Sequence, residues 1–233
     1  HAGPSEIDHS CHAADSDESN NSVSDDREDL DGDGRTNVEE QANGTVPLAA
    51  DTVGAGLNDS LETSVTALDA TQRDTDLDGL SDKVEYRTDG LDPSDPNSDD
   101  TGSRDGTSDL DGDNVPNYEE VRRGTNISVA DTDGDGLRDD TELYYAYTNA
   151  NAKDTDGDLL SDRIEYHTPG LDPRERDTDG DGTIDAFDDL DGDGLDNNHE
   201  VHIGTSLADT DTDSDGLSDK FERHSDWLDP LDN

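Results

Sequence analysis

The acidic side chains of this chain recur at fixed spacing, and the spacing is one that gathers oxygen around a hard cation. Twelve-residue windows of the form D-x-D-x-D-G-x-x-D-x-x-E, for example Asp131-Thr132-Asp133-Gly134-Asp135-Gly136-Leu137-Arg138-Asp139-Asp140-Thr141-Glu142, begin at Asp29, Asp74, Asp109, Asp131, Asp154, Asp177, Asp189 and Asp211. A hard divalent cation takes six to eight oxygen ligands at about 2.3 to 2.6 Å. Residues 1, 3 and 5 of such a window turn carboxylates toward a common centre, and glycine at 6 allows the sharp turn. Residue 7 offers its backbone carbonyl, residue 9 adds a side-chain or water-mediated oxygen, and glutamate at 12 clasps with both oxygens.

In that order the candidate ligands are Asp29, Asp31, Asp33, Arg35, Asn37 and Glu40 in the first loop and Asp74, Asp76, Asp78, Leu80, Asp82 and Glu85 in the second. The next three supply Asp109, Asp111, Asp113, Val115, Asn117 and Glu120; Asp131, Asp133, Asp135, Leu137, Asp139 and Glu142; and Asp154, Asp156, Asp158, Leu160, Asp162 and Glu165. The last three supply Asp177, Asp179, Asp181, Thr183, Asp185 and Asp188; Asp189, Asp191, Asp193, Leu195, Asn197 and Glu200; and Asp211, Asp213, Asp215, Leu217, Asp219 and Glu222. Mg²⁺ is smaller and sheds water reluctantly, so it suits these loops less well. With no cysteine and almost no histidine among the ligands, zinc and copper are poor candidates. The expected cofactor is Ca²⁺, at about eight sites.

The loops sit in a larger frame. Those at 29, 109 and 189 are 80 residues apart, as are those at 131 and 211, at 74 and 154, and at 97 and 177, so one unit holds four loops spaced 22, 23, 23 and 12. The frame locates eroded copies. At 51 the loop reads Asp51, Val53, Ala55, Gly56, Leu57, Asp59 and Glu62, with two carboxylates replaced. At 97 it reads Asn97, Asp99, Thr101, Gly102, Asp105 and Ser108, and at 17 Asp17, Ser19, Asn21, Asp25 and Glu28. The loops at 51 and 97 are expected to bind no ion or to bind weakly; the loop at 17 is left open. Halophilic adaptation, which the scarcity of lysine (Lys83, Lys153, Lys220) would fit, explains the total charge but not this periodicity.

These residues carry a family resemblance. Asp131-Thr-Asp-Gly-Asp-Gly-Leu137 followed by Glu142, with the linkers Glu120-Val-Arg-Arg-Gly124-Thr125 and Glu200-Val-His-Ile-Gly204-Thr205, resembles prokaryotic thrombospondin type 3 repeats over residues 29–233. The resemblance implies a calcium-stapled, mostly irregular chain wound into a rod or compact wire. The sequence departs from the family in lacking the paired cysteines of animal versions, and in placing Asn114 and Leu159 at the loop-6 glycine position. Asparagine tolerates left-handed backbone better than leucine does. An EF-hand or dockerin needs a helix entering each loop, but the loops at 177 and 189 abut, and position 8 is Thr36, Ser81, Pro116, Arg138, Ser161, Ile184, Asp196 or Ser218 where those families carry an aliphatic residue.

Positioning the ligands falls to short helical turns through the glutamate, expected at Asp82 to Arg87 and Asn117 to Arg123 and closed by glycine at 44, 124 and 204. Linkers such as Tyr86 to Pro93, Tyr166 to Pro173 and Arg223 to Pro230 supply apolar plugs. Val84, Tyr86, Leu91, Ile164, Tyr166, Leu171, Phe221 and Trp227 are expected to form small local cores, and Tyr144, Tyr145 and Tyr147 to pack between repeats. The fold class is therefore a mostly irregular chain of Ca-stapled loop repeats with short helical turns, an elongated repeat rod without a single central core.

Composition agrees. Of 233 residues only 26% are apolar and 4% aromatic, too little for a sizeable core, and the formal net charge of -50 describes a polyanion that stays unfolded unaided. Such charge excludes nucleic acid and anionic membrane as partners, and no apolar run is long enough to span a bilayer. The chain starts at His1 without methionine and carries sequons at Asn20, Asn43, Asn58 and Asn126, so a secreted glycoprotein with its leader removed, extracellular or on the cell surface, is expected. A single cysteine, Cys11, excludes an intrachain disulfide framework. Residues 1–28 stand apart from the repeats of 29–233, with His1, His9, Cys11 and His12; they are expected to be a docking arm for self-association into a homo-oligomer or fibre. His9-Ser10-Cys11-His12 also keeps half of a C-x-x-C-H haem motif, with Asp8 at the first cysteine's place. No nucleophile elbow, phosphate loop or H-E-x-x-H is present, so no enzymatic activity is expected. The function expected is that of a structural calcium-binding subunit of an extracellular filament or surface assembly, the alternatives being an adhesive or spacer segment of a larger surface protein, a calcium reservoir, or a dockerin-like module.

Overall fold

The computed structural model describes residue 24 and residues 27–64, 68–225 and 227–232. The arm assigned to residues 1–28 therefore lies, except for Ser24, Arg27 and Glu28, outside the described residues, as do Cys11, the histidines near it, Asn20 and most of the loop at 17.

Among the described residues there is no strand; short helices alternate with long turns. The chain divides between Ser108 and Asp109 into two compact units. The first carries α1 (Asn37–Asn43), α2 (Asp59–Ser64), α3 (Asp82–Arg87) and a 3-10 turn at Asp105–Thr107. The second carries α4 (Asn117–Arg123), α5 (Asp139–Thr141) continued by a π-helical turn at Glu142–Ala146, α6 (Asp162–His167), a 3-10 turn at Asp185–Phe187, α7 (Asn197–Ile203) and α8 (Asp219–Arg223). No helix among the described residues is long and apolar enough to cross a membrane.

Each α-helix and 3-10 turn begins at position 9 of a twelve-residue loop, and position 8 is extended at α1, at α3 to α8 and at both 3-10 turns. Ser161 accepts from the Ile164 N–H at 3.4 Å, Asp196 from the His199 N–H at 2.8 Å and Ser218 from the Phe221 N–H at 3.3 Å. At α1 the Glu39 carboxylate instead reaches back to the Thr36 N–H at 3.0 Å. In these four loops a polar residue at position 8 thus marks the start of the helix that carries the glutamate. Gly44, Gly124 and Gly204 stop α1, α4 and α7 in left-handed conformation at φ 82°, 83° and 87°, as the sequence led us to expect.

Residue 7 is the apolar anchor of five of the eight loops: Leu80, Val115, Leu137, Leu160 and Leu195 are buried. In the second unit Leu160, Ala186 and Leu207 form a small cluster joined by Ile164, Leu171, Ile184, Leu190 and Val201. The cores are therefore small, and Ile164 and Leu171 act as plugs. Tyr86, Tyr166, Phe221 and Trp227 do not; all four are exposed, Trp227 at 94%. Tyr86, Tyr166 and Phe221 each adjoin a fully buried glutamate in sequence, which puts them about 100° around the helix from the buried face. Tyr144, Tyr145 and Tyr147 are exposed as well, so the packing expected of them is not seen.

The loops turn through two left-handed residues, not one. Position 6 has positive φ as expected, but so does position 4, as in Gly134 at 72° and Gly136 at 104°. Non-glycine residues occupy some of these places: Leu77 (63°) and Ser214 (63°) at position 4, Asn114 (73°) and Leu159 (94°) at position 6. Leu159 is 62% exposed, so its side chain gains nothing by burial to offset the clash of its Cβ with the backbone. Leu159→Gly is expected to stabilise the folded chain by about 1 kcal/mol, the left-handed penalty relieved less the extra freedom of glycine when unfolded; denaturant midpoints of the two proteins at the same divalent-ion concentration measure it.

Candidate metal centres

Each aspartate of the ladder has a backbone task that leaves particular oxygens over. In the loop at 131, Asp131 Oδ1 and Oδ2 accept from the N–H groups of Gly134 (2.8 Å) and Gly136 (3.0 Å). Asp133 Oδ1 accepts from the Asp135 N–H at 3.0 Å, and Asp135 Oδ1 from the Leu137 N–H at 2.7 Å. The same ladder recurs in the loop at 29, and its bonds from residues 4, 5 and 7 recur in the loop at 189. Left-handed backbone at positions 4 and 6 aims those N–H groups inward at the carboxylates, and this curls the loop.

The oxygens left over fall at two positions. In seven loops the Oδ2 atom of residue 3 is buried and without a hydrogen-bond partner: Asp31, Asp76, Asp111, Asp133, Asp156, Asp191 and Asp213. In the same loops the residue-12 glutamate is buried with one or both oxygens unpartnered: Glu40, Glu85, Glu120, Glu142, Glu165, Glu200 and Glu222. Buried polar atoms are nearly always hydrogen-bonded, so unpartnered oxygens repeated in register are groups that could hold a metal ion. Acidic groups close enough to hold one ion include Asp29, Asp31 and Asp33; Asp74, Asp76 and Asp78; Asp109, Asp111 and Asp113; and Asp131, Asp133 and Asp135. The donor set is carboxylate oxygen throughout, which suits a hard divalent cation.

The loops also complete one another. Residue 5 gives its second oxygen to the N–H of residue 10 of the following loop: Asp33 to Ser60 (2.9 Å), Asp78 to Gly106 (2.8 Å), Asp135 to Arg163 (2.8 Å), Asp158 to Ala186 (2.9 Å) and Asp193 to Lys220 (2.8 Å). This brings residue 9 of the following loop to the preceding centre, where Asp105 lies with Asp78 and Glu85, one oxygen of each within 4.8 Å of the others. Residue 9 is held by residue 2 of its own loop, as where Thr155 donates its N–H and hydroxyl to Asp162 at 2.8 and 2.7 Å. Reading loops singly gave residue 9 to its own loop; the structure places Asp105 with acids of the preceding loop. Where the preceding loop lies only 12 residues back, residue 9 is asparagine, and the Asn197 amide donates to the Asp185 carbonyl at 2.6 Å, which a carboxylate could not do.

Burial followed by mutual repulsion raises the proton affinity of the clustered acids. Glu85 and Glu165 are pushed up to about 9, first by burial and then by the carboxylates around them, including Asp185 of the following loop at Glu165. Glu120, Glu142 and Glu200 rise to about 8 and Glu40 to about 7 by the same causes. The ion pairs of Arg122 and Arg123 with Glu119, Arg138 with Asp140 and Arg174 with Asp172 all lie outside the ladder. Other cations serve backbone carbonyls at the loop corners: Lys153 donates to Gly134 at 2.7 Å and Lys220 to Gly194 at 2.6 Å.

Two loops depart from this pattern. In the loop at 177, Asp179 and Asp181 are exposed, and Asp188, an aspartate at position 12, accepts from the Asp189 N–H at 3.0 Å. Neither this loop nor the one at 97 has a buried unpartnered oxygen among the described residues. Both share the place in the 80-residue frame just before an abutting loop, and both lend residue 9 and a residue-10 N–H to the loop before them. That lending role is exerted some 28 residues away and leaves no mark in the spacing of a single loop.

Acids whose folded pKa lies above the unfolded value of 4.5 bind more protons folded than unfolded, so stability falls as pH rises between the two values. Protein stripped of divalent ions is therefore expected to keep more helical signal near pH 5 than near pH 8, measured by circular dichroism. With divalent ions present the order is expected to reverse, because ligand carboxylates must be deprotonated. No protein-family model matches this chain, and no curated protein matches it.

Proposed function

We propose that this chain is a structural calcium-binding protein akin to thrombospondin type 3 repeats, secreted or held at the cell surface, in which Ca²⁺ staples successive loops into a stiff rod that serves as a subunit of an extracellular filament or surface assembly. The observation that carries the reading is the register of unpartnered buried oxygens: residue 3 and residue 12 of loop after loop, beside acid clusters such as Asp74, Asp76 and Asp78 and Asp78, Glu85 and Asp105. Calcium is favoured over magnesium because these loops offer many protein oxygens and little regular geometry. Zinc and copper lack their preferred nitrogen and sulfur ligands here.

Ion binding of this kind is folding free energy. Extracellular calcium modules bind at about 10⁻⁴ to 10⁻³ M, and a site held at 100 times its dissociation constant stabilises the folded state by about 2.7 kcal/mol. Several such sites in one chain decide whether an acidic, core-poor sequence is folded at all. The ladder acids are assigned to holding ions and not to proton transfer at a substrate. The exposed aromatics Tyr145, Tyr147, Phe221 and Trp227 offer contact surface for self-association.

Titration of the ion-free chain with Ca²⁺ at neutral pH tests the reading. Helical circular dichroism is expected to appear and the hydrodynamic radius to change cooperatively at millimolar Ca²⁺, with Mg²⁺ at the same concentration much less effective. Excess chelator is expected to return the chain to coil. Spectra and radius indifferent to Ca²⁺ and chelator would overturn it.

A further inference from the structure

The loop at 51 has lost the acids at positions 3 and 5 to Val53 and Ala55, yet it keeps the left-handed turn and the hydrogen bonds of residues 1, 2 and 9. Asp51 accepts from the N–H groups of Ala55 at 3.0 Å and Gly56 at 2.8 Å, and Gly54 and Gly56 take the two left-handed positions at φ 68° and 90°. Thr52 donates its N–H and hydroxyl to Asp59 at 2.8 and 2.6 Å. The loop then runs into α2, where Glu62 is 0% exposed and neither of its carboxylate oxygens has a hydrogen-bond partner.

A scaffold emptied of function has no use for a buried, unpartnered glutamate; an apolar residue would fill that place at no electrostatic cost. Glu62 is instead surrounded by acids. The carboxylate bearing on it most strongly is Asp82, residue 9 of the following loop, then Asp59, Asp51 and Asp69. Asp82 is itself 0% exposed and held by Thr75 at 2.7 Å. Glu62 and Asp82 hold the same two positions, residue 12 and residue 9 of the following loop, as Glu85 and Asp105, which lie together with Asp78. The nearby cation does not neutralise the group. Lys83 lies over Gly56, its Cδ 2.5 Å from where a Cβ would stand, and forms no ion pair with Glu62. Arg163 over Gly136 and Lys220 over Gly194 lie likewise at loops whose ladders are intact.

We propose that the loop at 51 is a further centre of a second kind, a calcium site built without residues 3 and 5, in which Glu62, Asp51 and Asp82 of the following loop supply the carboxylates and the Leu57 carbonyl occupies position 7. Fewer protein oxygens make it the weakest site, the last to fill as calcium rises. The loop at 97 marks the contrast. It has Ser108 at position 12 and no buried unpartnered oxygen, and it is assigned no ion.

This inference rests on the calcium reading above, and counting bound ions separates the two. Equilibrium dialysis of the full chain against saturating Ca²⁺, in a monovalent-salt background, gives the number of ions per chain. Glu62→Gln is expected to bind one ion fewer than the parent chain. Val53→Asp, which restores the residue-3 carboxylate, is expected to leave the number unchanged and to lower the calcium concentration that half-fills the weakest site about tenfold. An unchanged number in Glu62→Gln, or one additional ion in Val53→Asp, would show that the parent loop holds none and would overturn the proposal. The second variant decides the matter even if Glu62→Gln fails to fold. A parent chain that binds no Ca²⁺ would overturn the calcium reading and this site with it.

Discussion

The constraint on which the rest of this structure depends is the enclosure of negative charge. The largest fully buried side chains are eight glutamates, in company with Leu80, Leu160, Val115 and Asn117. In an ordinary domain those places belong to leucine, isoleucine and phenylalanine. Two unit charges 4 Å apart repel by about 4 kcal/mol at the effective dielectric of a partly buried site. A chain of net charge -50 holding such groups together needs positive charge at the centre of each cluster or protons on the carboxylates.

Enclosure is achieved by pairs of loops. The hydrogen bond from residue 10 to residue 5 of the preceding loop spans 27 or 28 residues and sets one loop on the next. It also delivers residue 9 to the preceding centre, so a loop with little ligand capacity of its own, such as that at 97, still serves its neighbour. The loop at 109 shows what happens when the link is lost: Asp113 Oδ2 has no partner, and the contact passes to the side chains, with Asn114 donating to Asp140 at 3.1 Å. Loops coupled in this way exchange free energy with their neighbours, as repeat arrays do.

Much of the local structure was legible in the sequence. The glycine stops at 44, 124 and 204, the turns Asp82–Arg87 and Asn117–Arg123 and the burial of residue 7 follow from rules that act within a few residues. What was missed acts over longer distances or in the backbone. Position 4 also turns left-handed, which Leu77 and Ser214 conceal because neither is glycine. Asparagine at residue 9 reads as a variant ligand, yet Asn197 is needed as a donor to Asp185. The aromatics Tyr86, Tyr166 and Phe221 read as plugs, but the glutamate beside each of them claims the buried face of the helix. In this chain apolarity is a poor guide to the interior, because carboxylates fill it.

The most direct test of the central claim is an anomalous difference map from crystals grown with Ca²⁺ and measured at long wavelength. Peaks are expected between residue 3 and residue 12 of the seven loops with unpartnered oxygens, at about 2.3 to 2.6 Å from Asp31 Oδ2, Asp133 Oδ2 and their counterparts. Acid clusters with no such peaks, their glutamates bonded to one another through shared protons, would contradict the claim that cations hold this fold together.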